Sequence, residues 1–177
     1  MPPSNLHTTV LEIAHSRTAG EIEAMVSRIS PQVEDIVNYT RAHHAGLIKP
    51  MISYDGSALA LSFVPDTATT YTYHHLRRDI YKLASNSGVE VASRYVVPSA
   101  HLTIARWVDQ RVVEKRRVGE LVDVLEQLNA ELEGKYWGDD GNAAGLRWQV
   151  GEEKGLVCRR GQVWYGGGES FAEGKGF

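Results

Sequence analysis

Along this chain the apolar residues switch repeatedly between a spacing of two and a spacing near 3.6, the mark of strands alternating with helices. Residues 6–14, Leu-His-Thr-Thr-Val-Leu-Glu-Ile-Ala, follow a proline turn and read as a first strand. Thr18-Ala-Gly-Glu21 has the form of a capping box and opens a helix whose apolar face is Ile22, Met25, Val26 and Ile29. Ser30-Pro31 breaks that helix, because the residue before a proline is pushed out of the helical region. Pro31 then suits the first turn of a second helix, with Val33, Ile36 and Val37 inside and Gly46 at its end. From Pro50 to Val64 two apolar runs flank Asp55-Gly56, which predicts a β-hairpin. A further helix is predicted from Tyr71 to Ser87, with Tyr73, Leu76, Ile80 and Leu83 on one face and Gly88 after it.

The second half repeats the order. Val89–Val97 reads as extended, and Pro98-Ser-Ala-His-Leu-Thr-Ile-Ala-Arg-Trp107 as a strand entered from a proline turn. Asp109 is placed to cap a long helix to about Leu132, whose core stripe is Val118, Leu121, Val122, Leu125, Leu128 and Leu132. A glycine-rich loop, Gly134 to Gly145, leads to a second expected hairpin, Leu146–Val150 with Gly155–Tyr165 across Gly151–Gly155. The glycine-rich tail is expected to fray. The order strand, helix, hairpin thus occurs twice. The pattern predicts one α+β domain over residues 1–177, with similar lobes at about 1–88 and 89–168 and a flexible tail at 169–177. Two mainly antiparallel sheets are expected to face a central cleft, with helices outside.

Composition narrows the classes. A chain of 177 residues that is 42% hydrophobic can bury one sizeable core and is not a disordered polyelectrolyte. A net charge of −3 argues against sequence-blind nucleic-acid binding, which needs a broad basic surface, but leaves a single nucleotide or an RNA end compatible. Cys158 is the only cysteine, so no intramolecular disulfide or cysteine zinc site forms, and a small core residue in a reducing compartment is expected, cytoplasm or nucleus. No apolar run reaches the length of a membrane span, and Met-Pro-Pro-Ser-Asn-Leu-His lacks the features of a secretory leader.

Two short constellations stand out. His7 and Thr9 lie two residues apart in the first predicted strand, and His101 and Thr103 two apart in the later one. In a strand such pairs share a face, so two adjacent strands would gather two imidazoles and two hydroxyls in one cleft. Tyr165, running into Gly166-Gly-Gly168, is the first choice among the aromatics for a stacking position at the rim. Other candidates are weaker. His43-His44 and His74-His75 fall in predicted helices, where neighbours diverge by about 100° and do not chelate together. Arg77-Arg78 and Lys115-Arg116-Arg117 read as solvated helix faces, and Arg106 has the wrong strand parity to join His101 unless the strand bends.

The two units, His7-Thr-Thr9-Val10 and His101-Leu-Thr103-Ile104, resemble the paired His-x-Thr/Ser-x motifs of the 2H phosphoesterases. The flanks Pro-Pro-x-Asn-Leu-His-x-Thr and Pro-x-x-His-Leu-Thr-Ile-Ala-Arg resemble the branch called RNA ligase/cyclic nucleotide phosphodiesterase. In one departure, six residues precede His7 where members usually carry a strand and a helix, so one sheet is expected to be incomplete.

The resemblance implies hydrolysis of 2′,3′-cyclic phosphates of nucleotides or RNA ends, or of a related 2′-5′ or 3′-end phosphodiester. Two imidazoles, with ordinary pKa near 6.5, suit that reaction as one base and one acid. Hydroxyls of Thr9 and Thr103 can donate to the phosphoryl oxygens, and neither metal nor cofactor is called for. The expected partner is a nucleotide or RNA-end substrate; no membrane and no obligate protein partner is expected. Two alternatives remain: a binding module that holds the same ligand without turnover, and a structural domain with both histidines in its core.

Overall fold

Asp55 closes the first hairpin with its own side chain. Its Oδ1 accepts from the N–H and hydroxyl of Ser57, both at 2.7 Å, and from the N–H of Ala58 at 2.9 Å. On either side run β1 (Gly46–Tyr54) and β2 (Ala58–Pro65), antiparallel as expected. The computed structural model describes residues 1–94, 99–108, 115–138, 145–163 and 167–177. Its helices are α1 (Ala19–Ile29), α2 (Val33–Val37), α3 (Tyr73–Asn86) and α4 (Lys115–Tyr136). The remaining strands are β3 (Ala100–Arg106), β4 (Arg147–Gln149), β5 (Val157–Arg160) and β6 (Glu169–Glu173). The architecture is α+β, with a curled antiparallel sheet of order β3-β2-β1-β4 and a second sheet of β5 and β6.

Pairing register sorts the large sheet into two faces, because residues directly opposite one another project the same way. Leu47, Phe63, Leu61 and Leu59 share one face with Ala100 and Leu102. Toward the Leu47 and Ala100 end it meets Ile29 of α1, Ile36 of α2, and Tyr73, Leu76, Ile80 and Ala84 of α3, all buried in one cluster. The opposite face is smaller and more polar, with Ser53, Ala60 and Ser62. The capping box is present at α1: Glu21 N–H donates to Thr18 Oγ1, and Glu21 Oε2 accepts from Thr18 N–H at 2.8 Å. Cys158 packs against the core, and burial pushes its thiol up to about 11.

Several expectations are corrected. The second helix stops at Val37 because the Asn38 side-chain amide donates to Glu34 O at 2.9 Å and the Val37 carbonyl is taken by Leu156 N–H at 2.8 Å. Gly46 therefore opens a strand instead of ending a helix. Residues 6–14 form no continuous strand, because their backbone partners are scattered. After a 3-10 turn at Pro3–Asn5, Thr8 makes an isolated antiparallel bridge to Leu102, while Thr9 O accepts from the Tyr73 hydroxyl and Ile13 O from Ala92 N–H.

Helix α4 runs through Gly134 to Tyr136. Of its expected stripe Leu125 is buried, whereas Leu128 is exposed. The helix spends Asn129 on the free edge of β1, where the amide accepts from Ile52 N–H at 2.6 Å and donates to Ile52 O at 3.0 Å. Asp109 lies outside the described residues. The second hairpin does not form between its expected strands, since β4 pairs with β1 and β5 with β6. The tail is ordered through β6 and beyond. Gly174 N–H donates to Leu156 O and Phe177 N–H to Glu152 O, and the Phe177 ring stacks on His44 at 4.0 Å. Glycine is required there, as a Cβ on Gly174 would overlap the Val37 carbonyl. The large sheet draws β1 and β2 from one half and β3 and β4 from the other, so its pairing does not divide at residue 88, and the first motif segment meets its β3 edge at the Thr8–Leu102 bridge.

Candidate active site

The site is built on β3 and the segment beside it. Opposite β3, Ser62 pairs with His101 and Ala60 with Thr103, so these four side chains share the polar face. The next pairs are Leu59 with Ala105 and Ala58 with Arg106. One residue of β2 is thus matched by two of β3, a β-bulge that makes Ile104 the extra residue and turns Arg106 onto the face of His101 and Thr103. Strict alternation assigns Arg106 to the wrong side. The clue in the sequence was the conflict itself, since an arginine at the parity of Leu102 and Ile104 sits badly on an apolar face and signals a break in period.

The bridge between Thr8 and Leu102 fixes the other half of the site. Leu102 belongs to the apolar face, so Thr8 does too, and the flanking His7 and Thr9 take the register of the polar face. Antiparallel pairing sets His7 beside Thr103 and Thr9 beside His101, crossing the two motifs. The four expected residues converge as neighbours on one sheet edge. Tyr165, the expected rim aromatic, lies outside the described residues.

Local turns aim the rings. His7 Nδ1 lies 2.9 Å from the Asn5 carbonyl, and because a carbonyl only accepts, the ring carries its proton on Nδ1 and leaves Nε2 for a ligand. The Pro3–Asn5 turn of the motif's own flank supplies that carbonyl. His101 Nδ1 is 2.9 Å from the Ser99 hydroxyl. Its flank does the equivalent job. Under the pair, Ser62 and Ser53 join hydroxyls at 2.5 Å, a polar floor beneath His101.

Among the described residues the charges that act on His101 are mainly positive. His101 is half-buried, and burial pushes its pKa below the ordinary imidazole value. Positive charge at His7, Arg77 and Arg106 pushes the same way, and Asp55 opposes them. Asp55 stays ionised, because the Ser57 hydroxyl and the N–H groups of Ser57 and Ala58 hold its carboxyl below the usual range. Arg77, on α3, was expected to be a solvated helix residue; it is half-buried and its charge is felt at His101. Two of the other histidines make contacts within the scaffold. His43 stacks on Tyr39 at 4.1 Å, and His75 Nδ1 accepts from Thr72 N–H at the start of α3. Among the described residues no three His, Cys, Asp or Glu side chains cluster to hold a metal ion, and no helix is long and apolar enough to cross a membrane.

The first motif is held from behind by Glu12. Its carboxylate accepts from the Arg94 guanidinium at 2.6 Å and from the Arg94 N–H at 2.8 Å. Burial alone would raise its pKa, but the bonds and charge of Arg94, with a smaller contribution from His15, outweigh burial and hold it below the ordinary value of 4.5. A depressed carboxylate pKa adds stability that is complete above that ordinary value and is lost as pH falls through the folded one. Discounted for the exposed guanidinium, Glu12→Gln is expected to cost about 1 kcal/mol at pH 7. Urea denaturation across a pH series checks this: the gap to wild type should close in acid, and a gap constant to pH 3 would refute it.

Comparison of the chain with protein-family models, with curated proteins and with solved structures finds no match.

Proposed function

We propose that the chain is a phosphodiesterase of the 2H type that hydrolyses 2′,3′-cyclic phosphates of nucleotides or RNA ends, or a related 2′-5′ or 3′-end phosphodiester, by two-histidine acid–base catalysis without a metal ion. The observation that supports this reading is the bridge between Thr8 and Leu102, whose register puts both His-Thr pairs on the same side of the sheet edge. His101, half-buried among positive neighbours, favours its neutral form and suits the general base. It takes a proton from water as the water oxygen bonds to phosphorus. The bond from phosphorus to the ring oxygen breaks, and that oxygen takes a proton from the charged form of His7 through Nε2. The product is a phosphate monoester. Charge developing on the non-bridging oxygens meets the Thr9 and Thr103 hydroxyls and Arg106.

The same geometry would serve a module that binds a nucleoside phosphate without turnover, so the test is chemical. Incubation with the four 2′,3′-cyclic mononucleotides in EDTA, followed by phosphorus NMR, should show conversion to monoester. No conversion above buffer for any of them, together with binding of nucleoside 2′-phosphate, would replace the enzyme by the binding module.

A further inference from the structure

The two motifs hold their histidines at the same spacing but with different groups. In each, the residue two positions before the histidine meets its Nδ1 at 2.9 Å: the backbone carbonyl of Asn5 at His7, and the side-chain hydroxyl of Ser99 at His101. Local backbone accounts for the difference. The 3-10 turn at Pro3–Asn5 folds the Asn5 carbonyl back toward the His7 ring. Ser99 instead leads directly into β3, which begins at Ala100 paired with Phe63. Extended backbone points its carbonyls across to neighbouring strands, whereas side chains two positions apart share a face. The Ser99 hydroxyl therefore takes the part at His101 that a carbonyl plays at His7.

That exchange changes the chemistry. A carbonyl only accepts, so Nδ1 of His7 carries a proton in the neutral and the charged ring alike. A hydroxyl both accepts and donates. When Ser99 accepts, His101 is protonated on Nδ1 and Nε2 keeps its lone pair. When Ser99 donates, Nδ1 is the acceptor, and the neutral ring carries its proton on Nε2 and has no lone pair there to act as a base.

We propose that Ser99 is a positioning residue for His101: its Oγ accepts from Nδ1–H and holds the ring in the tautomer whose Nε2 takes the proton of water. The proposal rests on His101 being the general base of the proposed function, and it adds a residue from outside both His-x-Thr units. Ser99 is exposed, so water competes for Nδ1 and the contribution is that of one solvated hydrogen bond.

Nitrogen-15 NMR of the ring nitrogens in the full chain tests this without turnover. At about pH 8.5, about two units above the ordinary imidazole value, the ring is neutral and its two tautomers give distinct signals. Wild-type His101 should be the Nδ1–H form. Ser99→Ala should bring in the Nε2–H form, and Ser99→Thr, which restores a hydroxyl, should return the wild-type signal. His7, held by a carbonyl, should keep its tautomer throughout. On a 2′,3′-cyclic nucleotide Ser99→Ala should lower kcat about 3–10-fold at nearly unchanged KM and Tm, and Ser99→Thr should regain most of the loss. If Ser99→Ala fails to fold, Ser99→Gly removes the same oxygen and decides alone. A wild-type ring in the Nε2–H form, a tautomer that ignores the Ser99 hydroxyl, or an unchanged kcat once the tautomer has shifted overturns the proposal and leaves the proposed function to its own test. A tautomer that follows Ser99 in a chain that opens no cyclic phosphate keeps Ser99 as the anchor of the ring and sinks the enzyme reading.

Discussion

His101→Ala should lower kcat/KM on a 2′,3′-cyclic nucleotide by about 10²–10⁴-fold, the range carried by one positioned acid or base, with little change in Tm. The loss is chemical because the ring lies on the polar face of β3, across from Ser62, while the core of the fold takes the preceding residue, Ala100, from the opposite face. His7→Ala should cost a similar factor, since its ring is exposed and fixed by the Asn5 carbonyl rather than by packing. The double variant should lose scarcely more than either single one, because base and acid act on the same phosphorus and removal of one disables the pair. Steady-state kinetics with thermal denaturation of all three variants reads this directly. Independent, multiplying losses would contradict a shared phosphorus.

Leu47→Ala should destabilise the chain by about 2–5 kcal/mol, measured by urea denaturation, without altering the chemistry of the site. Leu47 is 0% exposed, paired with Pro65 on one side and Trp148 on the other, and packed in the cluster that holds Tyr73 and Leu76. Truncation removes buried methyl groups and leaves a cavity beneath the sheet that carries β3. Leu128→Ala makes the same chemical change on α4 at a residue that is 41% exposed, and should stay within about 0.5 kcal/mol. Equal costs at the two positions would mean that the packing described here is wrong.

Those two leucines show where the sequence could be read and where it could not. Elements closed by their own residues were legible: the Asp55-Gly56 hairpin, the Thr18–Glu21 capping box, α3 up to Gly88, and the strand around His101. Each is dictated by side chains a few positions apart. What depends on distant partners was not legible. The periodicity of α4 marks Leu128 as core as firmly as Leu125, yet whether a stripe finds anything to cover it is decided by the rest of the fold. The strands flanking Gly151–Gly155 looked like a hairpin and instead pair with β1 and β6, because those edges offer better partners. A glycine-rich tail looked loose for want of any sign that Val37 and Glu152 would take its backbone so closely.

The candidate site divides in the same way. Both His-Thr pairs stood out by their spacing of two, but only the second lies in the strand expected for it; the first meets β3 through a single bridge at Thr8. Arg106 was hidden by the extra residue at Ile104, which shifts its strand parity.

The central claim is that His7 and His101 address one phosphoryl group, and a single titration tests it. Ring-proton NMR of the seven histidines, followed while a nucleoside 2′-phosphate is added, should show the His7 and His101 signals moving together along one binding curve, with the other five still. Movement of one ring without the other, or two curves with different midpoints, would contradict it.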